Sequence, residues 1–368
     1  MSTILFYSPF NQRSRDTESV MIAFRKQGHR VMSLSQADGS GIHPFLESKG
    51  IETFTHVLTG SPNALYFTRH LWFFIRFCRK HKVDIVYSHL ESANFVASVA
   101  QYFVKAKIFI CRHHMDLGRH HGFDRSLFYK LTYRLARQII VVSNSAKRYL
   151  VRAEKIREDK IIHINLAYDF DLYKKADDRN VRKIRERVNG DVLLVTAGRF
   201  NIFKRQEMSI ATLKRLRARG VNAKLLLLGS GERDAEIRSF ISDQGMNDHV
   251  VCEGHVTNIL DYLSAGNFLL HPSMSESSCV VVKEAAVAGL PVIVCRGVGD
   301  FDDYIVDGQN GFMAEVDNFD ITAAELVLHH YRSKEFLELM ARRLRERVIE
   351  LFSIDSVIWK YEALNRKD

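Results

Sequence analysis

Two carboxylates, Glu276 and Glu284, stand eight residues apart in a stretch that can present both of them to one ligand. The apolar run at residues 267–271 predicts a strand, and residues 280–288 predict a helix that places Glu284 in its early turns. The N–H groups at the start of a helix bind anions, and a neighbouring carboxylate can accept two hydrogen bonds from a vicinal diol such as a ribose. The spacing fits a site for a phosphate joined to a sugar, although glutamates are also common near helix starts because the helix dipole favours them.

The segment around these carboxylates predicts a strand, a loop, a helix and a second strand. Ser277 and Ser278 are predicted N-caps of the helix, Gly289 is predicted to end it, and a second apolar run follows at residues 291–295. Elements in this order belong to a parallel sheet, and such sheets bind ligands outside the carboxyl ends of their strands. Glu276 should therefore lie at the edge of the sheet where a ligand binds.

The first half of the chain repeats the same alternation. Helix-like segments separate apolar runs at residues 3–7, 29–34, 84–89, 107–112 and 139–143. This alternation predicts an α/β fold with a doubly wound parallel sheet. The chain has 368 residues, which is enough for two domains of ordinary size.

The carboxylate segment resembles a family signature. From Pro272 to Ile293 it reads P-S-x-x-E, seven residues, then E-A-x-x-x-G-x-P-V-I. This is similar to the signature of the retaining glycosyltransferases of family 4, which have the GT-B fold. The resemblance implies two Rossmann-like domains facing across a cleft, residues 1–175 for the acceptor and residues 176–351 for a nucleotide sugar. A closing helix at 352–368 should pack back on the first domain, with Trp359 and Tyr361 as packing residues.

A pair of cations, Arg199 and Lys204, follows the predicted strand at residues 192–197. In the family such a pair clamps the donor diphosphate. A leaving nucleoside diphosphate gains negative charge as the glycosidic bond breaks, and fixed cations stabilise that charge most in the transition state. With these cations we expect neither a divalent metal nor a cofactor. The donor contacts that the resemblance implies are Arg199, Lys204, Gly229, His255, Val256, Glu276, Ser277, Ser278, Cys279, Val280 and Glu284.

The resemblance also implies roles. Glu284 would hold the ribose, Glu276 would contact the donor sugar near the anomeric carbon, and His113, at the end of the strand at 107–111, would lie near that sugar. No enzyme nucleophile is expected, and the leaving group and the acceptor would share one face of the sugar. The predicted catalytic residues are Glu276, His113, Arg199 and Lys204. The predicted acceptor contacts are Asn11, Arg13, His89, Arg112 and His114.

Two segments depart from the family pattern. Residues 277–279 read Ser-Ser-Cys where Gly-Phe-Gly is common, and the first loop, residues 8–14, has no glycine. Because of these departures, the sequence does not identify the donor sugar. A catalytically inactive protein of the same fold remains an alternative. A histidine-rich run with His113, His114, His120 and His121 has the composition of a metal cluster, but a metal site also needs a ligand geometry. We predict no metal there.

Positive charge is concentrated in the first half. The net charge of the chain is +10, and residues 1–175 hold 27 Lys and Arg against 14 Asp and Glu. An excess of this kind indicates an anionic partner. In the helix predicted at residues 65–82, Arg69, Arg76, Arg79 and Lys80 share one arc with Trp72. This arc fits an anionic membrane surface, and it equally fits a core helix with a solvated basic stripe.

Five cysteines without a C-x-x-C pair indicate a reducing compartment, and no run of about 18 apolar residues predicts a membrane span. We expect a cytoplasmic protein, and peripheral binding to the cytoplasmic face of the inner membrane is an alternative. The predicted activity is retaining transfer from a UDP-sugar, or second from GDP-mannose, to a saccharide or lipid-linked acceptor in cell-envelope glycan synthesis. A nucleotide-sugar epimerase and a nucleic-acid binder are the alternatives, and because the sequence contains no known nucleic-acid module we expect no nucleic-acid partner.

Overall fold

The computed structural model describes residues 1–38, 41–58, 64–113, 123–172 and 175–366. The chain divides into two α/β units. The first consists of Met1–Phe170 together with Phe352–Asp368, and the second of Asp171–Leu351. Within the described ranges, no helix combines the length and the apolar character needed to cross a bilayer.

The first unit contains a parallel sheet of seven described strands in the order β3-β2-β1-β4-β5-β6-β7. These strands are β1 (Thr3–Ser8), β2 (Arg30–Ser35), β3 (Glu52–Thr55), β4 (Ile85–His89), β5 (Lys107–Arg112), β6 (Gln138–Val141) and β7 (Ile161–His163). The helices between them are α1 (Arg15–Lys26), α2 (His43–Ser48), α3 (Ala64–Lys80), α4 (Glu91–Ala100), α5 (Phe123–Leu135) and α6 (Asn144–Arg152).

The central strands of this sheet are largely apolar because helices cover both faces. In β1, Leu5 and Tyr7 belong to the core on one face, whereas Ile4 and Phe6 belong to the core on the other. Successive side chains of a strand point to opposite faces, so a strand covered on both sides needs apolar residues at every position. The continuous apolar runs in the sequence have this cause.

The second unit contains a parallel sheet of six described strands in the order β10-β9-β8-β11-β12-β13. Its strands are β8 (Val192–Ala197), β9 (Ala223–Leu228), β10 (Val250–Gly254), β11 (Phe268–His271), β12 (Val292–Cys295) and β13 (Phe312–Ala314). Its helices are α7 (Asp178–Val188), α8 (Gln206–Ala218), α9 (Asp234–Asp243), α10 (Ile259–Ala265), α11 (Val280–Ala288), α12 (Phe301–Tyr304), α13 (Phe319–His330) and α14 (Lys334–Phe352).

Each sheet reverses its strand order at one point. The reversal lies between β1 and β4 in the first unit and between β8 and β11 in the second. The connections on the two sides of such a point leave in opposite directions, which opens a crevice outside the carboxyl ends of the two strands. These two crevices are therefore the expected positions of ligand-binding sites.

A final helix, α15 (Ile354–Asn365), belongs to the first unit. The Tyr361 ring lies edge-on to Tyr87 at 5.3 Å between centroids, and the Tyr87 hydroxyl donates to Asn365 Oδ1 at 2.6 Å. Trp359, in contrast, is 58% exposed, so the prediction that it packs is wrong. Residues two apart on a helix point about 200° apart, and Trp359 therefore faces away from the surface that Tyr361 covers.

Candidate functional site

A cavity of about 510 Å³ opens where the strand order of the second sheet reverses. Gly198 and Arg199 after β8, Gly229 after β9 and Glu276 after β11 line it, and the start of α11 forms another part of its wall. Cavities of this size bind small-molecule ligands and cofactors.

The structure gathers around this cavity ten of the eleven residues that the sequence suggests as donor contacts. Ser277 is the exception and does not line it. The lining residues that were predicted are Arg199, Lys204, Gly229, His255, Val256, Glu276, Ser278, Cys279, Val280 and Glu284. Their common location does not by itself test the individual roles, which stay predictions.

The floor of the cavity depends on backbone contacts between the loops that follow β8 and β9. The Gly198 N–H donates to the Leu228 carbonyl at 2.9 Å, and the Phe200 N–H donates to the Ser230 carbonyl at 3.0 Å. Gly229 has a φ of +122°, and a Cβ there would lie 2.2 Å from the Gly198 carbonyl oxygen. Only glycine allows the two backbones to approach this closely.

Glu276 lies between two groups that can carry positive charge. Lys204 Nζ donates to Glu276 Oε1, and His271 Nε2 is 2.7 Å from the same oxygen. Burial by itself would raise the pKa of Glu276, but Lys204 and His271 outweigh it and hold that pKa well below its usual range. Glu276 is thus a carboxylate, and in this structure its charge is balanced from inside the protein.

The pKa values of His271 and Lys204 shift in the opposite direction, upward. Burial by itself would lower the pKa of His271, but Cys279 and Glu276 raise it above its usual value. Burial would also lower the pKa of Lys204, whereas Glu276 and Cys279 raise it. The Cys279 sulfur lies 3.3 Å from His271 Nε2. Four ionisable side chains are therefore coupled at one end of the cavity.

Behind this group, the loop before α11 is fixed by a buried ion pair between Lys283 and Asp300. The Ser278 hydroxyl donates to Asp300 Oδ2 at 2.6 Å, and Lys283 Nζ donates to the Cys279 carbonyl at 3.1 Å. The prediction that Ser277 or Ser278 caps α11 is wrong. The N-cap residue is Cys279, and the Ser278 hydroxyl bonds to Asp300 instead of to a helix N–H.

The helix start itself can bind an anion. No side chain caps α11 within the described structure, and the Cys279 N–H is 3.4 Å from Asp300 Oδ1. The first N–H groups of a helix have no partner within the helix, and together with the dipole they favour negative charge. Val280, Val281 and Glu284 of this helix line the cavity, and Glu284 is 7% exposed.

Arg199 contrasts with Lys204. Its side chain is 74% exposed, and its Nε is 3.4 Å from Glu232 Oε2, a carboxylate that is itself exposed. Exposed pairs of this kind contribute little to stability, so Arg199 can leave Glu232 for a ligand at low cost. Of the predicted pair, Lys204 is therefore held in place by Glu276, whereas the exposed Arg199 side chain can reorient.

In the first unit, two predicted histidines meet at the carboxyl ends of β4 and β5. His89 Nδ1 lies 2.8 Å from His113 Nε2. Burial, with a smaller contribution from His113, lowers the pKa of His89 well below its usual value, so this ring is neutral at pH 7. A cavity of about 10 Å³ beside them has room for about one water molecule.

The other predicted acceptor residues differ in how much of each side chain a ligand could reach. The Asn11 side chain accepts hydrogen bonds from the Ile42 and His43 N–H groups and is buried. Arg13 is 55% exposed and forms an ion pair with Glu18 at 2.5 Å. Of the two, only Arg13 offers a ligand an accessible polar group.

Arg112 points into the protein instead of toward a ligand. Its side chain is fully buried, and its Nη1 lies 2.8 Å from Glu154 Oε1. The guanidinium also lies 4.8 Å from the centre of the Tyr133 ring. The prediction that Arg112 contacts an acceptor does not fit this arrangement. His114, His120 and His121 lie outside the described residues.

Sequence reasoning missed three residues that shape the main cavity: His271, Lys283 and Asp300. His271 is the last residue of β11, and a polar residue at the carboxyl end of a buried strand is a signal that could have identified it. Lys283 and Asp300 are 17 residues apart and have no local pattern that links them. Only the fold brings them together.

Comparison with known proteins agrees with this geometry. A family model described as glycosyl transferases group 1 matches residues 177–347, and one described as glycosyltransferase family 4 matches residues 17–172. The N-acetyl-alpha-D-glucosaminyl L-malate synthase of Bacillus anthracis is 25% identical, over 78% of this chain and 75% of the relative. The capsular polysaccharide biosynthesis glycosyltransferase CapM of Staphylococcus aureus is 25% identical, over 76% of each protein.

Solved structures agree on the fold. HepE of Anabaena, crystallised with UDP and glucose, superimposes with a TM-score of 0.85 at 18% identity, over 100% of each chain. The two parallel-sheet α/β units and the likeness to HepE show the GT-B fold, as the family resemblance in the sequence implies. The two family models adjoin each other and together match most of the chain. The chain belongs to glycosyltransferase family 4.

Proposed function

We propose that this glycosyltransferase moves a hexose or an N-acetylhexosamine from a nucleoside-diphosphate sugar to a saccharide or lipid-linked acceptor, with retention at the anomeric carbon. The observation that carries the proposal is the cavity at the strand reversal of the second sheet. It is lined by two cations, Arg199 and Lys204, by two carboxylates, Glu276 and Glu284, and by the start of α11. These are the groups that a diphosphate, a ribose and a sugar require.

The cations and the helix start serve the diphosphate. Arg199 is exposed enough to reorient onto phosphate oxygens, and a guanidinium can bind them in a bidentate manner. Lys204 is held beside Glu276, so a phosphate that approaches it meets a cation already in position. Because charge on the diphosphate grows as the glycosidic bond breaks, both cations lower the barrier without any divalent metal.

The carboxylates serve the sugars. Glu284 accepts hydrogen bonds from the ribose hydroxyls, and Glu276 accepts them from the transferred sugar near the anomeric carbon. No protein nucleophile takes part, and the acceptor enters on the face that the diphosphate leaves. In the first unit, His113 is the histidine that we assign to the sugar, and its contact with His89 orients the ring.

A UDP-sugar is the favoured donor, with GDP-mannose second. HepE was crystallised with UDP and glucose, and the name of the Bacillus anthracis relative specifies an N-acetylglucosaminyl product. CapM takes part in capsular polysaccharide biosynthesis, which supports a cell-envelope glycan as the product here. The acceptor binds the first unit, whose charge excess favours an anionic or lipid-linked molecule.

We assign membrane binding, at the cytoplasmic side, to the exposed surface of α3 in the first unit. Trp72 is 62% exposed, and the Arg76 guanidinium lies 4.4 Å from the centre of its ring. Arg69, Arg79 and Lys80 are exposed as well. Phe103, 54% exposed, is joined to this helix because its carbonyl accepts from Arg79 Nη2 at 2.9 Å. We call this surface the α3 face.

The donor site can be tested by thermal unfolding with UDP, GDP, ADP, CMP and TDP. A nucleotide at 100 times its dissociation constant stabilises a protein by ~2.7 kcal/mol. We expect one diphosphate to raise the melting temperature of the wild type. The same nucleotide should raise the melting temperatures of Glu284→Gln and Lys204→Met much less. Lys214→Ala and Glu325→Ala, on exposed positions of the same unit, are the matched controls.

If no nucleotide changes the melting temperature, the donor site is inactive and the proposal fails. Retention needs a separate measurement, the anomeric configuration of the product by NMR. An inverted anomeric centre would refute the assigned stereochemistry while leaving the donor site in place.

A further inference from the structure

His271, Glu276 and Cys279 place three metal-binding atoms of different kinds close together. One imidazole nitrogen, one carboxylate oxygen and one sulfur lie within 4.8 Å of one another, and no other group of three such residues occurs in the part of the chain that the structure describes. His271 is 2% exposed and Cys279 is 4% exposed. This is the side of the cavity where Ser-Ser-Cys stands at residues 277–279.

The donor set is that of zinc. Zinc binds histidine nitrogen, cysteine sulfur and carboxylate oxygen, and sites with three protein ligands leave a fourth position open. His271 Nε2 lies 2.7 Å from Glu276 Oε1 and 3.3 Å from Cys279 Sγ. Tetrahedral zinc with ordinary bond lengths separates such atoms by roughly 3.3 and 3.5 Å. These two pairs need to spread by only about 0.6 Å or less to accept the ion. The atoms of the third pair, Glu276 and Cys279, also lie within 4.8 Å of each other.

The backbone already holds these ligands near that arrangement. His271 ends β11, Glu276 lies on the following loop and Cys279 is the N-cap residue of α11. The buried pair of Lys283 and Asp300 fixes the loop from behind. Ligands that are positioned before binding lose little entropy when the ion arrives.

A cation also occupies this environment already. Lys204 Nζ donates to Glu276 Oε1 from beside the cluster, so the surroundings stabilise positive charge at this point. A divalent ion would compete with the Lys204 ammonium for the same carboxylate. Removal of that ammonium should therefore strengthen metal binding, although it weakens a site for phosphate.

We propose that His271 Nε2, Glu276 and Cys279 Sγ bind a zinc-class transition metal ion, and that the bound ion closes the cavity to the sugar donor. The second half of this statement rests on the proposed function, because it takes Glu276 to be a donor contact. The ion coordinates the carboxylate that would otherwise face the sugar and displaces Lys204 from it. Metal ligands bind in their deprotonated forms, so the affinity for the ion should rise with pH.

Metal binding can be measured without any sugar nucleotide. Metal-free protein is titrated with Co²⁺, and the thiolate-to-cobalt charge-transfer band in the near ultraviolet reports a sulfur ligand. We expect one equivalent of cobalt per chain and the band in the wild type. Cys279→Ser should lose the band, and His271→Gln should bind far more weakly. Cys252→Ser, which changes a half-buried cysteine elsewhere in the second unit, should match the wild type.

Lys204→Met gives a prediction of the opposite sign, a lower dissociation constant for cobalt and zinc. The metal site is refuted if the wild type shows no charge-transfer band, or if Cys279→Ser binds cobalt as tightly as the wild type. Because the band is read on the wild-type protein, the result does not depend on the folding of a variant.

The closing of the cavity is tested separately with zinc-loaded protein from which excess metal has been dialysed. The melting-temperature shift caused by the best nucleoside diphosphate should fall in the loaded wild type, and a chelator should restore it. Cys279→Ser treated in the same way controls for zinc that binds the diphosphate itself. If the protein binds metal but the nucleotide still raises its melting temperature by as much as before, only the proposal that the ion closes the cavity is refuted. A metal-free protein that ignores every nucleotide would overturn the proposed function and leave the cobalt result standing.

Discussion

The ammonium of Lys283 lies 2.7 Å from Oδ2 of Asp300, and no more than 1% of either side chain is exposed. A buried pair of this kind contributes little net stability, because desolvation opposes the attraction, but removal of one partner leaves an uncompensated charge. Both side chains also bond to Ser278, which lies on the loop between Glu276 and α11. The pair therefore determines the position of the loop more than the stability of the fold.

Replacement of one partner should be costly. We expect Lys283→Met to lower the free energy of unfolding by ~3–5 kcal/mol, because Asp300 remains buried without its cation. In the double variant Lys283→Met/Asp300→Leu most of that loss should return, since neither charge remains. Urea denaturation measures all three proteins. A double variant that is less stable than Lys283→Met would contradict this account.

Gly299 tests how closely the neighbouring loop supports Glu276. Its φ is +61°, and a Cβ there would lie 2.6 Å from the Glu276 Cβ. We expect Gly299→Ala to displace the carboxylate and weaken nucleotide-sugar binding about tenfold or more, an estimate that takes ~1.4 kcal/mol per factor of ten. Binding is measured by calorimetry with the donor that the nucleotide panel identifies.

Gly297→Ala is the matched control for this change. Gly297 has a similar φ of +72°, and a Cβ there would meet no atom within 4 Å. Both variants bear the backbone cost of alanine at positive φ, so the comparison isolates the effect of contact with Glu276. Equal donor affinities in the two variants would show that contact with Glu276 is unimportant.

The α3 face should bind anionic membranes. Each basic residue near an anionic surface contributes ~1 kcal/mol, and an interfacial tryptophan adds to this. We expect flotation of the wild-type protein with phosphatidylserine liposomes at low salt, less flotation of Trp72→Ala and of Arg76→Gln, and little at high salt. Trp359→Ala removes a second exposed tryptophan of the first unit and should behave as the wild type. Equal losses from both tryptophan variants would argue against a specific surface.

His70 should make the first unit sensitive to acid. It is 1% exposed, its Nδ1 is 3.0 Å from His56 Nδ1, and burial, with a smaller effect of His56, lowers its pKa to about 4. The pKa is about 6.5 in the unfolded chain, so the unfolded state binds the proton first as the pH falls. The stability that neutral His70 contributes is complete above pH 6.5 and is lost between there and pH 4.

The size of this effect follows from the pKa difference. Up to ~3 kcal/mol should be lost across the interval in the wild type, and less in His70→Gln, which has no proton to bind at this position. Urea denaturation at several pH values gives the comparison. Parallel pH profiles of the two proteins would show that His70 does not titrate as stated.

The sequence predicted the elements of the second unit well where a largely apolar segment ends at a glycine. The bounds predicted for β8 and α11 are those that the structure shows. Apolar residues dominate both elements, and a glycine follows each of them directly. Strong burial and a residue that breaks regular structure leave little choice about where such elements begin and end.

Elements at the edges of the first sheet were not predicted. β3 and β7 are short edge strands, and β3 has the sequence ETFT with no fully buried residue. An edge strand is stabilised by its one neighbour and needs no long apolar run. The inward course of Arg112 was missed for a related reason, since its partner Glu154 lies 42 residues further on and only packing brings the two together.

The return of α15 to the first unit has a consequence during synthesis of the protein. Val357 and Tyr361 of this helix complete a core that also contains Phe24 and Tyr87. About 180 residues of the second unit are translated between that core and the helix. At ~5–20 residues per second, the apolar face stays uncovered for roughly 10–35 seconds on the ribosome. A chaperone that holds the nascent first unit would protect this face until the helix has emerged.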